Sequence, residues 1–256
     1  MFAVRHLASK LAMSLLAIML MAGAPALAQT SSPKPSGWEF DASPYIWGAG
    51  LDGDVKVGRL PSTGVEATFS DLVTVLDLGL MGSFEGRKGH WGFLVDAVYV
   101  SLSDSQPTPN SLFGDAEVDL VQELYTFAGS YRVIDGKTSL DVIVGARYTN
   151  LSTDLELTGG IASGRTADST ESWWDGFAGA RVQCRPGEHW VLMGHLDLGA
   201  GGSELTWQAL AGAAYSFNKT IALKFGYRYI SVDYEEDEFL YDMAMAGPYV
   251  GVGFKF

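Results

Sequence analysis

From Trp38 to the C-terminus, apolar and polar positions alternate with a period of two, interrupted by clusters of turn residues. The C-terminal segments are clearest. In 221–229, Ile221, Leu223, Phe225, Tyr227 and Tyr229 share one face, and Lys224, Gly226 and Arg228 the other. In 205–217, Leu205, Trp207, Ala209, Ala211, Ala213, Tyr215 and Phe217 oppose Thr206, Gln208, Gly212 and Ser216. The last segment sets Val250, Val252, Phe254 and Phe256 against Tyr249, Gly251, Gly253 and Lys255. The pattern predicts strands over 38–51, 77–87, 90–103, 117–133, 138–157, 171–185, 189–200, 204–217, 220–234 and 240–256.

The connections sort by length. Tight turns fall at 85–90, 133–137, 185–188 and 216–219, and they alternate with longer stretches at 104–115, 158–169 and 233–241, with 200–203 the short exception. Apolar side chains outward, small or charged ones inward, and short turns at one rim are what lipid outside and a polar lumen inside require. The expected fold is therefore all-β: a transmembrane antiparallel up-and-down β-barrel of ten strands spanning 38–256. Segment 52–76 fits less well. Gly53–Gly58 and Gly64–Thr68 resemble a hairpin, and Ser70–Leu76 a short capped helical turn, so an outer-side extension or plug is expected. If the hairpin joined the wall, the strand count would be twelve.

The N-terminal segment reads differently. Arg5 and Lys10 precede an apolar run from Leu11 to Met21, and Ala26-Leu27-Ala28 offers small residues at a cleavage point, so 1–28 is expected to be a signal peptide cut after Ala28. The alternative, an uncleaved membrane helix, would need a run of roughly 20 apolar residues. Residues 29–37 form a polar, Pro- and Ser-rich lead-in. Removing Arg5 and Lys10 leaves 15 Lys+Arg against 30 Asp+Glu, about −15 where the full chain carries −13. Such acidity disfavours nucleic acid as a partner, because phosphate binding needs basic surface. The single cysteine, Cys184, rules out an internal disulfide, leaving the backbone ladder to hold the fold.

Several runs resemble a family of bacterial outer-membrane β-barrel proteins of about 250 residues, most of them uncharacterised: Pro44-Tyr45-Ile46-Trp47-Gly48-Ala49-Gly50-Leu51-Asp52-Gly53, Phe69-Ser70-Asp71-Leu72, Met81-Gly82-Ser83-Phe84-Glu85-Gly86-Arg87, Gly226-Tyr227-Arg228-Tyr229 and the ending Gly247 to Phe256. The likeness implies a fold and a compartment without supplying an activity. It also implies that Phe256 is the terminal aromatic by which the barrel assembly machinery recognises its clients.

Carrying the alternation along the chain gives an inward set: acids Asp41, Glu85, Asp96, Asp141, Asp175 and Asp197, and bases Arg87, Arg147, Arg181, Lys224, Arg228 and Lys255. In a narrow ten-strand lumen, desolvated charges persist only when paired. The expectation is a mutually neutralised plug of side chains, with a small solute-steering pore as the alternative. His195 shares that face with Asp197, and a His beside a carboxylate is the start of a hydrolase triad. No serine stands at the spacing of barrel hydrolases, so lumen structure is favoured over catalysis. The acidic run Glu235–Glu238 lacks the ligand spacing of a calcium loop and reads as a solvated loop, with cation gathering as the alternative. Trp173, Trp174, Trp190 and Trp207 read as girdle residues, although one of Trp173 and Trp174 must face inward. No Cys/His cluster has metal-ligand spacing, and no cofactor is expected. The expected partners are outer-membrane lipid, lipopolysaccharide and the assembly machinery, with a monomer favoured. The ranking is a structural or interaction barrel first, a narrow porin-like channel second, and a barrel-embedded lipid or peptide hydrolase third. A soluble β-sandwich is the competing fold.

Overall fold

The computed structural model describes residues 37–56, 61–107, 113–159, 165–236 and 239–256. The leader, its cleavage point at Ala28 and the lead-in up to Ser36 lie outside them. The chain forms strands β1 (Glu39–Trp47), β2 (Gly50–Lys56) and β3 (Thr63–Ala67), then helix α1 (Phe69–Thr74). It continues as β4 (Leu76–Lys88), β5 (Trp91–Pro107), β6 (Phe113–Ile134), β7 (Thr138–Gly159), β8 (Arg165–Cys184), β9 (Trp190–Gly201), β10 (Leu205–Ser216), β11 (Ile221–Glu236) and β12 (Phe239–Lys255). Every pairing is antiparallel, in the order β1-β4-β5-β6-β7-β8-β9-β10-β11-β12, and β12 returns to β1. The wall is a closed ten-strand barrel. Closure matters because a membrane offers an unpaired strand edge no hydrogen bonds.

The seam joining β1 to β12 is fixed at one rim by the last residue. Phe40 and Phe256 exchange backbone hydrogen bonds of 2.9 and 3.1 Å, and their rings lie 5.7 Å apart. The same rim carries the short turns, including Gly89, whose φ of 61° suits a residue without a Cβ. At the other rim the strands run on. β6 and β7 have 22 residues each, about twice the 9–11 needed to cross a bilayer. Within the stretches read as long loops, 104–107, 113–115, 158–159 and 165–169 are strand and 108–112 and 160–164 lie outside the described residues, while 234–236 belongs to β11.

The segment read as an insertion holds β2, β3 and α1. The hairpin pairs through β2 with the upper half of β12 (Gly50 with Ala246 to Lys56 with Leu240), while the lower half of β12 pairs with β1. Ten strands close the barrel, and two more extend the sheet from β12. The expected strand 38–51 is broken at Gly48 and Ala49. Helix α1 starts at Thr68, whose hydroxyl accepts from the Asp71 N–H while the Asp71 carboxylate accepts from the Thr68 N–H at 2.9 Å. That capping box holds the Asp71 carboxyl below the usual carboxylate range, chiefly through the Thr68 hydroxyl.

Two aromatic rows circle the outer face. Near the short-turn rim, Trp91 meets Tyr131 and Trp190 meets Tyr215, with ring centroids 4.9 and 5.0 Å apart. Higher up, Tyr125, Tyr148 and Trp174 are register neighbours on β6, β7 and β8, and Trp207 stacks on Tyr229 at 4.5 Å. Between the rows the outward residues are apolar and exposed, among them Val142, Val144, Leu192, Leu196, Leu198, Val250 and Val252. An apolar band between two aromatic girdles is the outer surface of a membrane barrel.

Candidate functional site

The site is the lumen, because the strand alternation that sends apolar side chains outward delivers the charged ones to the inside. All thirteen residues predicted to line it lie on the inward-facing positions of the wall. Most are bound into three clusters, one at mid-height and two nearer the short-turn rim.

The first cluster crosses the barrel. Arg147, on β7 and fully buried, donates from Nη2 to both carboxylate oxygens of Asp197 (3.0 and 3.2 Å) and from Nη1 to Thr206 Oγ1 (3.1 Å). Asp197 also receives Gln208 Nε2 at 3.0 Å and lies 2.7 Å from His195 Nε2. Gln208 passes the chain on, accepting from Arg228 Nε at 2.9 Å. Arg228 in turn contacts Asp96 (2.9 Å) and Tyr45 Oη (2.8 Å), and the tyrosine donates to Asp96 at 2.9 Å. Six strands, β1, β5, β7, β9, β10 and β11, are tied together by these side chains.

The second cluster centres on Asp141. Arg87 Nη2 reaches it at 2.6 Å, Arg132 Nε at 2.8 Å and Arg181 Nη2 at 3.6 Å, and Arg181 also donates to Glu85 at 2.9 Å. The third is Lys224, which donates to Asp41 Oδ1 and Ser43 Oγ, each at 2.7 Å. Asp175 stands apart and accepts the Ser203 backbone N–H at 2.8 Å. Lys255 lines the lower vestibule.

Arg132, Tyr45, Gln208 and Thr206 were missed by the sequence reading. Arg132 sits in the same alternating phase as Leu124 and Thr126, which was the available signal. A bulge between Arg132 and Ile134, beside the predicted turn, obscured it. Tyr45, Gln208 and Thr206 are neutral, so a search for charges passed over them.

Below the first cluster the lumen widens, and the other two clusters form part of its wall. A vestibule of about 490 Å³ is lined by Arg87, Arg132, Arg185, Lys219, Lys224 and Lys255 with Glu39, Asp41 and Glu85. It leads to a chamber of about 110 Å³ bounded by Tyr45, Asp96, Arg181, His195, Gln208 and Arg228. Above the clusters the lumen is not polar, which corrects the expectation of a polar interior throughout. Trp47, Val98, Leu124, Leu151, Trp173, Ile230, Val232, Tyr234, Tyr241, Met243 and Met245 form one buried apolar core. Arg228 lies 5.0 Å below the Trp47 ring, joining the two layers. Trp173 is a core residue rather than a girdle residue, stacked on Tyr234 at 4.0 Å, while Trp174 is the outward member of the pair.

The reason for the switch is visible on β11. Up to Tyr229 the outward residues are apolar. Beyond it Ser231, Asp233 and Glu235 face out, and Ile230, Val232 and Tyr234 face in. Where the wall rises above lipid it meets water outside, so its apolar residues must pack on one another inside.

The chemistry available to His195 is narrow. Its Nε2 is engaged with Asp197, which Arg147 and Gln208 also hold, and no hydroxyl is hydrogen-bonded to the ring among the described residues. Also among those residues, no group of three or more His, Cys, Asp or Glu is placed to hold a metal ion.

Several solved structures are similar to this chain. The outer membrane protease OmpT from Escherichia coli matches over 89% of this chain and 99% of its own, at a TM-score of 0.54 and 8% identity. The fold is that of an outer-membrane β-barrel. The translocator domain of the autotransporter NalP from Neisseria meningitidis matches at a TM-score of 0.46 and 15% identity, covering 99% of this chain and 97% of its own. Ail, the attachment invasion locus protein of Yersinia pestis, matches at 0.37 and 12%, covering 87% and 100%. No protein-family model and no curated protein sequence matches the chain. At these identities the likeness concerns the fold alone.

Proposed function

We propose that the protein is an integral outer-membrane barrel with a sealed lumen, serving a structural and interaction role rather than conducting solutes or hydrolysing lipid or peptide. In this reading the leader to Ala28 is removed on export and the assembly machinery reads Phe256. The mature monomer then sits among phospholipid and lipopolysaccharide with its short turns toward the periplasm. The observation that carries the reading is the unbroken side-chain bridge Arg147–Asp197–Gln208–Arg228–Asp96, capped from above by the apolar core. An ion moving along the axis would have to break paired charges and then cross a dry layer, both costly in a low-dielectric interior.

The interaction role draws support from the tall wall of β6, β7 and β8, whose outer face above the girdle carries acids. Asp119, Asp154 and Asp168 lie side by side across three strands, Asp119 half-buried and the other two exposed. The non-enzymatic reading is supported by the partners of Asp197, whose carboxylate is shared by Arg147, Gln208 and His195. The test is conductance: purified protein in planar bilayers at low salt is expected to give no sustained current steps. Large ohmic steps from the wild-type protein would overturn the sealed-lumen reading and favour the narrow channel.

A further inference from the structure

The wall is sealed on the short-turn side and split on the other. β1 and β4 pair from Glu39 with Arg87 up to Pro44 with Gly82, and no further. Above that level β2 follows β12, β3 pairs with β2, and β4 pairs only with β5. Two strand edges, β3 over Thr63–Ala67 and β4 over Leu76–Met81, thus flank a slot with no strand across it among the described residues. The Trp47 N–H, which points toward β4, finds the Met81 sulfur at 3.2 Å in place of a backbone carbonyl.

The slot lies at the height of the upper girdle, since Leu80 is the register partner of Tyr99, itself next to the Tyr125 row. Helix α1 links the two edges, and none of its six residues is buried. The Phe69 ring rests against Gly48, within 3.4 Å of where a Cβ would stand. Around the slot the outer surface is apolar: Ile46, Phe69, Val73, Leu78 and Leu80 are 44–64% exposed. So is the inner surface, where Trp47, Leu51, Val65, Met81, Val98 and Met245 belong to the upper core.

We propose that this slot is a lipid-binding site, occupied by one acyl chain of an outer-leaflet lipid that enters the wall between β3 and β4 and reaches Met81. Free strand edges are costly against hydrocarbon and invite pairing. Here they stand at the depth where an acyl lipid carries its ester or amide carbonyls, which accept hydrogen bonds from edge N–H groups. Below the carbonyl, the chain finds an apolar groove continuous with the lipid-facing band. A second copy of this chain could cover the β4 edge by strand addition, but it would leave the inner apolar surface unfilled. The inference rests on the barrel's lying in a membrane and not on the sealed lumen.

The test uses the wild-type protein in vesicles containing phosphatidylethanolamine with a mid-chain photoactivatable diazirine, followed by mass-spectrometric mapping of adducts. Outward residues such as Ile46 and Leu80 will be labelled in any case. The decisive positions face inward. Labelling of Met81 is expected to exceed that of Leu124, inward-facing on the β6 wall and close-packed, by roughly fivefold or more. Equal labelling of Met81 and Leu124, or adducts confined to outward residues, would overturn the proposal. So would a cross-linkable dimer joined through β4 that lacks Met81 adducts.

Discussion

Replacing Arg147 with methionine tests the central charge cluster directly. The guanidinium is fully buried, makes two hydrogen bonds to Asp197 and one to Thr206, and lies 5.0 Å over the Phe177 ring. Methionine approximates the volume of the side chain while removing its charge. Asp197 would be left as a buried carboxylate held only by Gln208 and His195. Breaking one side of a buried pair costs about 3–5 kcal/mol, or roughly a hundred- to a few-thousand-fold in the folding equilibrium. Neutralising the partner as well should recover much of this. In Arg147→Met/Asp197→Asn no charge is stranded, so the double variant is expected to be less destabilised than the sum of the single variants by about 2 kcal/mol, within the range for contacting residues. The assay is urea unfolding in lipid vesicles, followed by tryptophan fluorescence and by the gel-mobility shift between boiled and unboiled protein. If Arg147→Met costs under about 1 kcal/mol, or the two changes add to within about 0.5 kcal/mol, Arg147 is not paired as described.

Two further outcomes follow from the outer surface. Val144, exposed midway between the girdles on β7, should tolerate leucine but not arginine; Val144→Arg is expected to cost about 2–4 kcal/mol in vesicle unfolding, and no loss would place that face outside lipid. Asp154 has an acid opposite it on both sides, Asp119 and Asp168, so Asp154→Asn should raise stability by roughly 0.4–2 kcal/mol at low ionic strength. That gain should shrink as salt is added, and a destabilised variant would show that the three carboxylates are bridged rather than repelling.

The wall was legible because lipid imposes a strict period of two. Ile221–Tyr229 and Leu205–Phe217 disclose their outward and inward faces without any knowledge of their neighbours. The inward charges were legible for the same reason: Arg147 and Asp197 belong to different strands, yet each falls on the inner phase of its own. Their pairing was not legible. Nothing in the spacing tells that Arg147 meets Asp197 or that three arginines converge on Asp141, since that depends on register and on the tilt of the strands around the barrel. The upper lumen was misread because polarity exchanges faces above Tyr229. Asp233 and Glu235 look like the start of a loop until Val232 and Tyr234 are seen to fill the interior between them. Segment 52–76 resisted reading because glycines at 48, 50 and 53 weaken the alternation. The hairpin's partner, the upper half of β12, also lies almost two hundred residues away in sequence.

The account stands on a wall that meets lipid outside and on a lumen that is closed at mid-height. Single cysteines placed from Leu205 to Ser216, in a Cys184→Ser background, test both statements in one series. In sealed vesicles treated with a membrane-impermeant maleimide, Ala209 and Ala211 on the outer face should stay unreactive from either side. The vestibule position Ala214 should react only from the side of the short turns, and Gln208, which bounds the chamber beneath the bridge, should not react from the opposite side. Reaction of Gln208 and Ala214 from both sides would reveal a continuous water path and contradict the sealed lumen. Reaction of the outer alanines would contradict the membrane-spanning wall.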